Sequence, residues 1–176
     1  MRAPVERLRK LAARTLSAVG RPGGEVHVTL VDDAEIRRLN RRYLGVRRST
    51  DVLAFDLGLG GAARRPSGPP TAGEEGVRWP ARSRGRAGAR RASGPPAFLG
   101  EVVISAETAA RQAERVGVST ALELDLLLVH GLLHLVGYDD HDPGEAVRMH
   151  ERARQILSAG RRRPLPGRLW TGLLSQ

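Results

Sequence analysis

Cysteine is absent from this chain of 176 residues. Disulfides and thiolate metal ligands are therefore excluded, and the composition fits a reducing compartment. The aromatic residues are two each of Trp, Tyr and Phe. So few cannot build the stacking platform on which single-strand-binding folds lay successive bases. No stretch approaches the roughly eighteen uninterrupted apolar residues of a membrane helix. The N-terminus also lacks the apolar centre of a signal peptide. A soluble, cytoplasmic protein with no membrane partner is the expectation. Lysine is almost missing: Lys10 stands beside twenty-eight arginines. That skew points to the base composition of the coding DNA more than to function.

The formal net charge is +10. Residues 57–98 carry eight arginines against Glu74 and Glu75, and the C-terminal stretch adds Arg161, Arg162, Arg163 and Arg168. These two segments hold the whole excess, so the remaining body is formally neutral. Residues 57–98 are dense in Gly, Pro, Ala and Arg, contain Pro69-Pro70 and Pro95-Pro96, and show no periodicity. A structureless run of that length inside a domain reads as disordered. Two readings of it stand. It is a basic arm that attracts phosphate backbones, or a surface insertion tolerated because loop-closure entropy grows slowly with length. The expected organisation is one domain over 1–157, interrupted at 57–98, followed by a basic tail over 158–176, where Leu169-Trp170 and Leu173-Leu174 offer docking side chains.

The body alternates helical and extended patterns. Val5, Leu8, Leu11, Ala12 and Leu16 predict an amphipathic helix over 4–18. After a turn at Gly20 to Gly24, the alternation of Val26, Val28 and Leu30 predicts a half-buried strand over 25–31. Asp32 or Asp33 caps a helix over about 33–43, with Ile36, Leu39 and Tyr43 on one face. Further strands are predicted over 51–55 and 101–105, and a helix over 106–116. Residues 121–136 are apolar on nearly all sides and predict a helix running through the middle of the molecule. Pro143 suits the first turn of a last helix ending near Leu157.

Three of the five histidines fall between 130 and 141. His130 and His134 are four apart, so on a helix both imidazoles lie on one face. Gly137 can turn the chain out of that helix, and His141 follows a short polar turn. Two imidazoles buried in a run such as Leu126-Leu127-Leu128-Val129 are costly without partners. Three neutral imidazoles with a fourth position left open form the ligand set of a catalytic zinc rather than a structural one. The helix–Gly–turn layout resembles the metzincins. A zinc peptidase, however, places a glutamate directly after its first histidine as general base. Here Gly131 stands there, which takes no proton and is expected to leave room for a substrate beside the metal. That argues against peptide hydrolysis and for a substrate needing Lewis-acid polarisation, such as a phosphodiester. His27 and His150 read as structural or surface residues.

Three separated segments together carry a family resemblance. Leu39-Asn40 with Tyr43, followed by Thr50-Asp51-Val52-Leu53-Ala54-Phe55, is one. Gly100-Glu101-Val102-Val103-Ile104-Ser105 is the second. The third runs from His130-Gly131-Leu132-Leu133-His134 through Gly137-Tyr138-Asp139. They resemble the YbeY family of bacterial zinc-dependent single-strand endoribonucleases, which act in ribosomal RNA maturation (16S 3′ end processing) and ribosome quality control. The resemblance covers about 24–56 and 97–157. It implies an α+β fold, a small mixed β-sheet packed with helices around a central histidine-bearing helix. It also implies one Zn²⁺ per chain, single-stranded RNA as substrate, and the small ribosomal subunit as partner.

This chain departs from the family in two places. One extra residue separates the second and third histidines, because Asp139 and Asp140 both precede His141. A gap-free count puts Asp140 in the third ligand position. His141 is favoured, since a turn is adaptable and imidazole suits zinc, and Asp140 is the alternative. Asp139 orients a ligand histidine or caps the turn. The family's arginine after the tyrosine is replaced by Leu44, so Arg47 or Arg48 becomes the candidate catalytic cation, gripping the phosphate with two parallel hydrogen bonds. Arg37, Arg38, Arg41 and Arg42 form either an RNA track toward the metal or a solvated basic face. The expected chemistry is attack on an RNA phosphodiester by water, its pKa brought to roughly 7 by zinc, or by an activated ribose hydroxyl. The rival classes are a peptidase-like hydrolase and a non-catalytic ribosome-binding protein.

If the basic segment is an arm, deleting 57–98 weakens RNA binding and flattens the slope of log Kd against log salt concentration. An unchanged slope identifies a bland insertion.

Overall fold

A computed structural model of the protein describes residues 2–45, 50–57, 97–159, 161 and 163–171. Arg47, Arg48, nearly all of the 57–98 segment and Leu173-Leu174 lie outside the described residues. In chain order the elements are α1 (Arg2–Ala18), β1 (Glu25–Val31), α2 (Asp33–Leu44), β2 (Val52–Asp56), β3 (Phe98–Ser105), α3 (Ala106–Val116), α4 (Thr120–Leu135) and α5 (Pro143–Ser158), followed by a short 3₁₀ helix at Gly167–Thr171. The order is that of an α+β fold. No single helix among the described residues is long and apolar enough to cross a membrane.

Local chemistry starts most of these helices. Asp32 caps α2 by accepting from the Glu35 N–H at 2.7 Å. Ser105 and Ser119 cap α3 and α4 through Thr108 N–H and Leu122 N–H. Asp142 caps α5 through Gly144 N–H and Glu145 N–H, with Pro143 in the first turn, where its missing N–H costs nothing. Asp33 then ties α2 to α3, accepting from Ser105 Oγ and Thr108 Oγ1 and pairing with Arg111 at 2.6 Å. These bonds, Ser105 first, lower its pKa to about 2.

The strands form a mixed sheet in the order β1-β3-β2, with β1 parallel and β2 antiparallel to β3. β3 starts at Phe98, earlier than the alternation suggested, because Gly100 lies within the ladder opposite Asp56 instead of ending it. Period-two alternation sends the side chains of each strand to opposite faces. On one face Leu53 and Val103 join Ile36 of α2 in a small cluster. On the other, Val102 and Ile104 join the main core of α1, α4 and α5. Tyr43 does not share the burial of Ile36. It is 55% exposed and meets Phe55 edge-on, with ring centroids 5.3 Å apart. Leu169 and Trp170, offered as docking side chains, are buried in the main core, and Arg154 lies over the Trp170 ring.

The central helix, α4, is buried along most of its length. At Gly131 it comes so close to the sheet that an added Cβ would stand 2.6 Å from Val102 Cγ1 and 3.2 Å from Val52 Cγ2. The space expected beside the metal for a substrate is therefore filled by sheet side chains. The glycine serves helix–sheet contact.

Two carboxylates near the start of α4 are buried as well. Asp125 is met by Arg7 at 3.1 Å and Arg161 at 3.3 Å. Burial still raises its pKa, against the pull of these arginines. Glu123 is 2% exposed, and its Oε2 has no hydrogen-bond partner among the described residues. Burial first, and then the Asp51 carboxylate, push it up to about 7, with Arg115 opposing.

Two outcomes are expected. Gly131→Ala should destabilise the fold by about 1–3 kcal/mol through overpacking, more than offsetting alanine's helix propensity; chemical denaturation measures this. Glu123 holds its proton more tightly folded than unfolded, so its ionisation removes stability as pH rises from the usual value of 4.5 to about 7, with no further loss above. Glu123→Gln should therefore stabilise by on the order of 2 kcal/mol above pH 7. The gain should shrink toward pH 5 in melting curves taken across that window.

Candidate metal centre

Helical spacing places His130 and His134 one turn apart on α4, and their Nε2 atoms lie 3.1 Å from each other. The helix then stops. Gly137 adopts a positive φ of 99°, its N–H bonds the His134 carbonyl, and the Tyr138 N–H bonds the Leu133 carbonyl at 3.1 Å. This is a Schellman closure, which satisfies orphan carbonyls and reverses the chain. The turn brings the Asp140 carboxylate back over the helix end. Its Oδ2 lies 3.4 Å from His130 Nε2 and 3.7 Å from His134 Nε2.

The three donors fit a divalent metal. Each pair lies within 4.8 Å. Two ligands bound at about 2.1 Å to a common tetrahedral centre stand about 3.4 Å apart. His134 Nδ1 faces the Tyr138 carbonyl at 3.1 Å. That contact holds the hydrogen on Nδ1 and leaves Nε2 a lone pair, as metal binding requires. Two imidazole lone pairs at 3.1 Å repel unless a proton or a cation lies between them. The neighbouring His130 and then His134 rings hold the Asp140 carboxylate well below the usual carboxylate range, so it remains an anion. His130 is buried while His134 and Asp140 are half-buried. Solvent reaches the three donors from their side.

In this geometry the Asp140 carboxylate faces the pair, and His141 groups with Asp139 and Asp140. The helix closure uses Val136, Gly137 and Tyr138 without slack, so the residue delivered to the pair is the one reached by a gap-free count. His141 stays outside, its side chain 60% exposed. Its Nδ1 lies 2.8 Å from Asp139 Oδ1, which also accepts the His141 backbone N–H. Asp139 thus caps the turn and orients His141 in one arrangement. The bonds from His141, backbone first, lower the Asp139 pKa.

Arg37, Arg38, Arg41 and Arg42 belong to α2, which packs on the sheet face opposite α4. With Ala34, three of them line a cavity of about 490 Å³. Arg38 pairs with Glu35 and Arg42 lies over the Tyr43 ring. None continues the surface around His134. Conversely, His150, which sequence reasoning left as structural, stands beside the centre. Its ring stacks near His130, with centroids 6.4 Å apart and planes 26° apart. Burial, together with the nearby His130, lowers its pKa. The signal for it is tertiary, because α4 and α5 meet only after the turn has reversed the chain.

Comparison with known proteins agrees with the fold. A Thermotoga maritima protein, TM1509, has a solution structure that superposes with a TM-score of 0.50 at 20% identity, covering 98% of this chain and 85% of that one. Sequence relatives are much nearer. The endoribonuclease YbeY of Geobacter metallireducens is 40% identical over 86% of this chain and 83% of its own length. That of Geobacter sulfurreducens is 38% identical with equal coverage. That of Thermobifida fusca is 36% identical over 89% of this chain and 86% of its own. The family described as endoribonuclease YbeY matches residues 2–160, a span that takes in the sheet, the central helix and the turn bearing Asp140. On that match, and on relatives that align along most of both chains, this protein belongs to the YbeY family.

Proposed function

We propose that this protein is a metal-dependent endoribonuclease that cuts single-stranded RNA in ribosomal RNA maturation, including the 16S 3′ end, and in ribosome quality control. It works in the cytoplasm, with the small ribosomal subunit as partner. The observation that carries the reading is the convergence of His130 Nε2, His134 Nε2 and the Asp140 carboxylate in a chain of this family.

These three residues hold one zinc ion in a helix–Gly–turn site of metzincin-like layout. Two neutral imidazoles and a carboxylate are a donor set suited to zinc. Zinc supplies Lewis-acid polarisation of the phosphodiester and activation of the attacking oxygen. Asp140 brings one negative charge that three imidazoles would lack, so the centre attracts a phosphate less strongly and binds the cation more tightly. The Tyr138 carbonyl keeps the His134 proton on Nδ1. Gly131, with no carboxylate, offers no general base for peptide hydrolysis. Arg47 or Arg48 supplies the guanidinium that grips the reacting phosphate. In sequence, only three residues separate Arg48 from Val52, which borders Gly131. Arg37, Arg38, Arg41 and Arg42 contact phosphates further along a strand that passes the β2 edge.

Protein purified without chelators should contain about one zinc per chain and cut single-stranded RNA but not casein. Chelation should abolish the cleavage and added zinc should restore it. Casein cleavage without RNA cleavage rejects the reading in favour of a peptidase. Absence of metal favours a non-catalytic RNA binder. Asp140→Ala should lower zinc affinity and RNA cleavage by about two orders of magnitude, whereas His141→Ala should change either by less than about tenfold. The reverse ranking would return the third position to His141.

A further inference from the structure

Two neighbouring rings each carry a buried nitrogen without a hydrogen-bond partner among the described residues: His130 Nδ1 and His150 Nε2. One ring is on α4 and the other on α5, with centroids 6.4 Å apart and planes inclined by 26°. Their hydrogen-bonding needs are complementary. His130 Nε2 faces His134 Nε2 and the Asp140 carboxylate, so as a metal ligand it presents its lone pair there. The ring hydrogen then sits on Nδ1, a donor that points away from the metal into the protein. His150 Nε2, as a lone pair, is an acceptor.

Metal-bound histidines ordinarily donate their second N–H to an acceptor, which fixes the ring and raises its basicity. His134 does so at the Tyr138 carbonyl. Among the described residues no carbonyl or carboxylate meets His130 Nδ1, and a buried N–H left without an acceptor is costly. A ring nitrogen lies about 1.1 Å from its centroid, and one bridging water spans about 5 Å between its partners. Centroids 6.4 Å apart put the two nitrogens within that span when they are turned toward each other.

Resting on the metal centre proposed above, we propose that His150 is a positioning residue for His130, joined to it through one water. The water accepts the His130 Nδ1 hydrogen and donates one of its own to His150 Nε2. α5 begins directly after the ligand-bearing turn, so the same reversal that delivers Asp140 also seats this acceptor behind His130.

The test compares metal-stripped wild type, His150→Phe and His150→Gln, titrated with zinc against a chromophoric chelator and with cobalt(II) followed by visible absorption. Phenylalanine keeps a flat ring but has no acceptor. Its zinc affinity should fall about 10- to 100-fold, with an altered cobalt spectrum. Glutamine keeps an acceptor and should recover most of the affinity and the wild-type spectrum. Melting of the metal-free proteins separates these effects from folding; if His150→Phe does not fold, His150→Leu replaces it in the same comparison. Wild-type affinity and spectrum in the variant lacking an acceptor would overturn the proposal, as would a glutamine variant as weak as it. Failure of the wild-type protein to bind either metal would instead reject the metal centre itself, and the positioning role with it.

Discussion

The contact between α4 and the sheet at Gly131 is the constraint on which the site depends. A buried helix carries its side chains wherever its backbone is pressed, and here the backbone is pressed against Val102 and Val52 without a Cβ between. That approach sets the height of His130 above the strands. It also commits the opposite flank of the helix to α1, α3 and α5, so α4 has little freedom to roll. With the helix held, His134 follows one turn on, and the turn after Leu135 has a defined starting point. Ligand geometry needs tolerances of a few tenths of an ångström, and a rigid, close-packed core is what supplies them.

Polar groups on α4 meet three different fates along one apolar helix. Asp125 points to two arginines, which offset part of its desolvation. Glu123 makes no ion pair among the described residues, lies near the Asp51 carboxylate, and is driven toward the neutral form against the pull of Arg115. His130 and His134 meet each other and Asp140. Only this last group is arranged with lone pairs converging on a common point. Native interiors rarely leave polar atoms unmatched, and the unmatched atoms here cluster around α4: Glu123 Oε2, Asp125 Oδ1, His130 Nδ1, Gln112 Oε1 and, from α5, His150 Nε2. The helix has accepted packing penalties that an all-leucine helix would avoid, and those at its C-terminal end coincide with the chemistry.

Much of this was readable before any coordinates. The element order followed from the two hydrophobic periods, and two helix starts from Asp32 and Pro143, because a helix start is a local interaction between near neighbours. The His130–His134 pair was readable for the same reason. Readings failed where distance along the chain and distance in space part company. Gly131 suggested room for substrate, yet the room belongs to strands 29 and 79 residues away in sequence. Tyr43 had core spacing but sits where α2 runs off the sheet edge. Leu169 and Trp170 carried apolar character with no periodicity to say where they would dock.

The sequence by itself determined which residues can bind a metal, their spacing on one helical turn, and the glycine that ends the helix, since each rests on bond geometry spanning four or five residues. Tertiary structure decided that Asp140 rather than His141 meets the pair, that α2 stands behind the sheet, and that His150 stands behind His130. Those outcomes depend on how a turn closes and which faces of helices pack, and packing is settled by the summed fit of side chains far apart in the chain rather than by any local pattern.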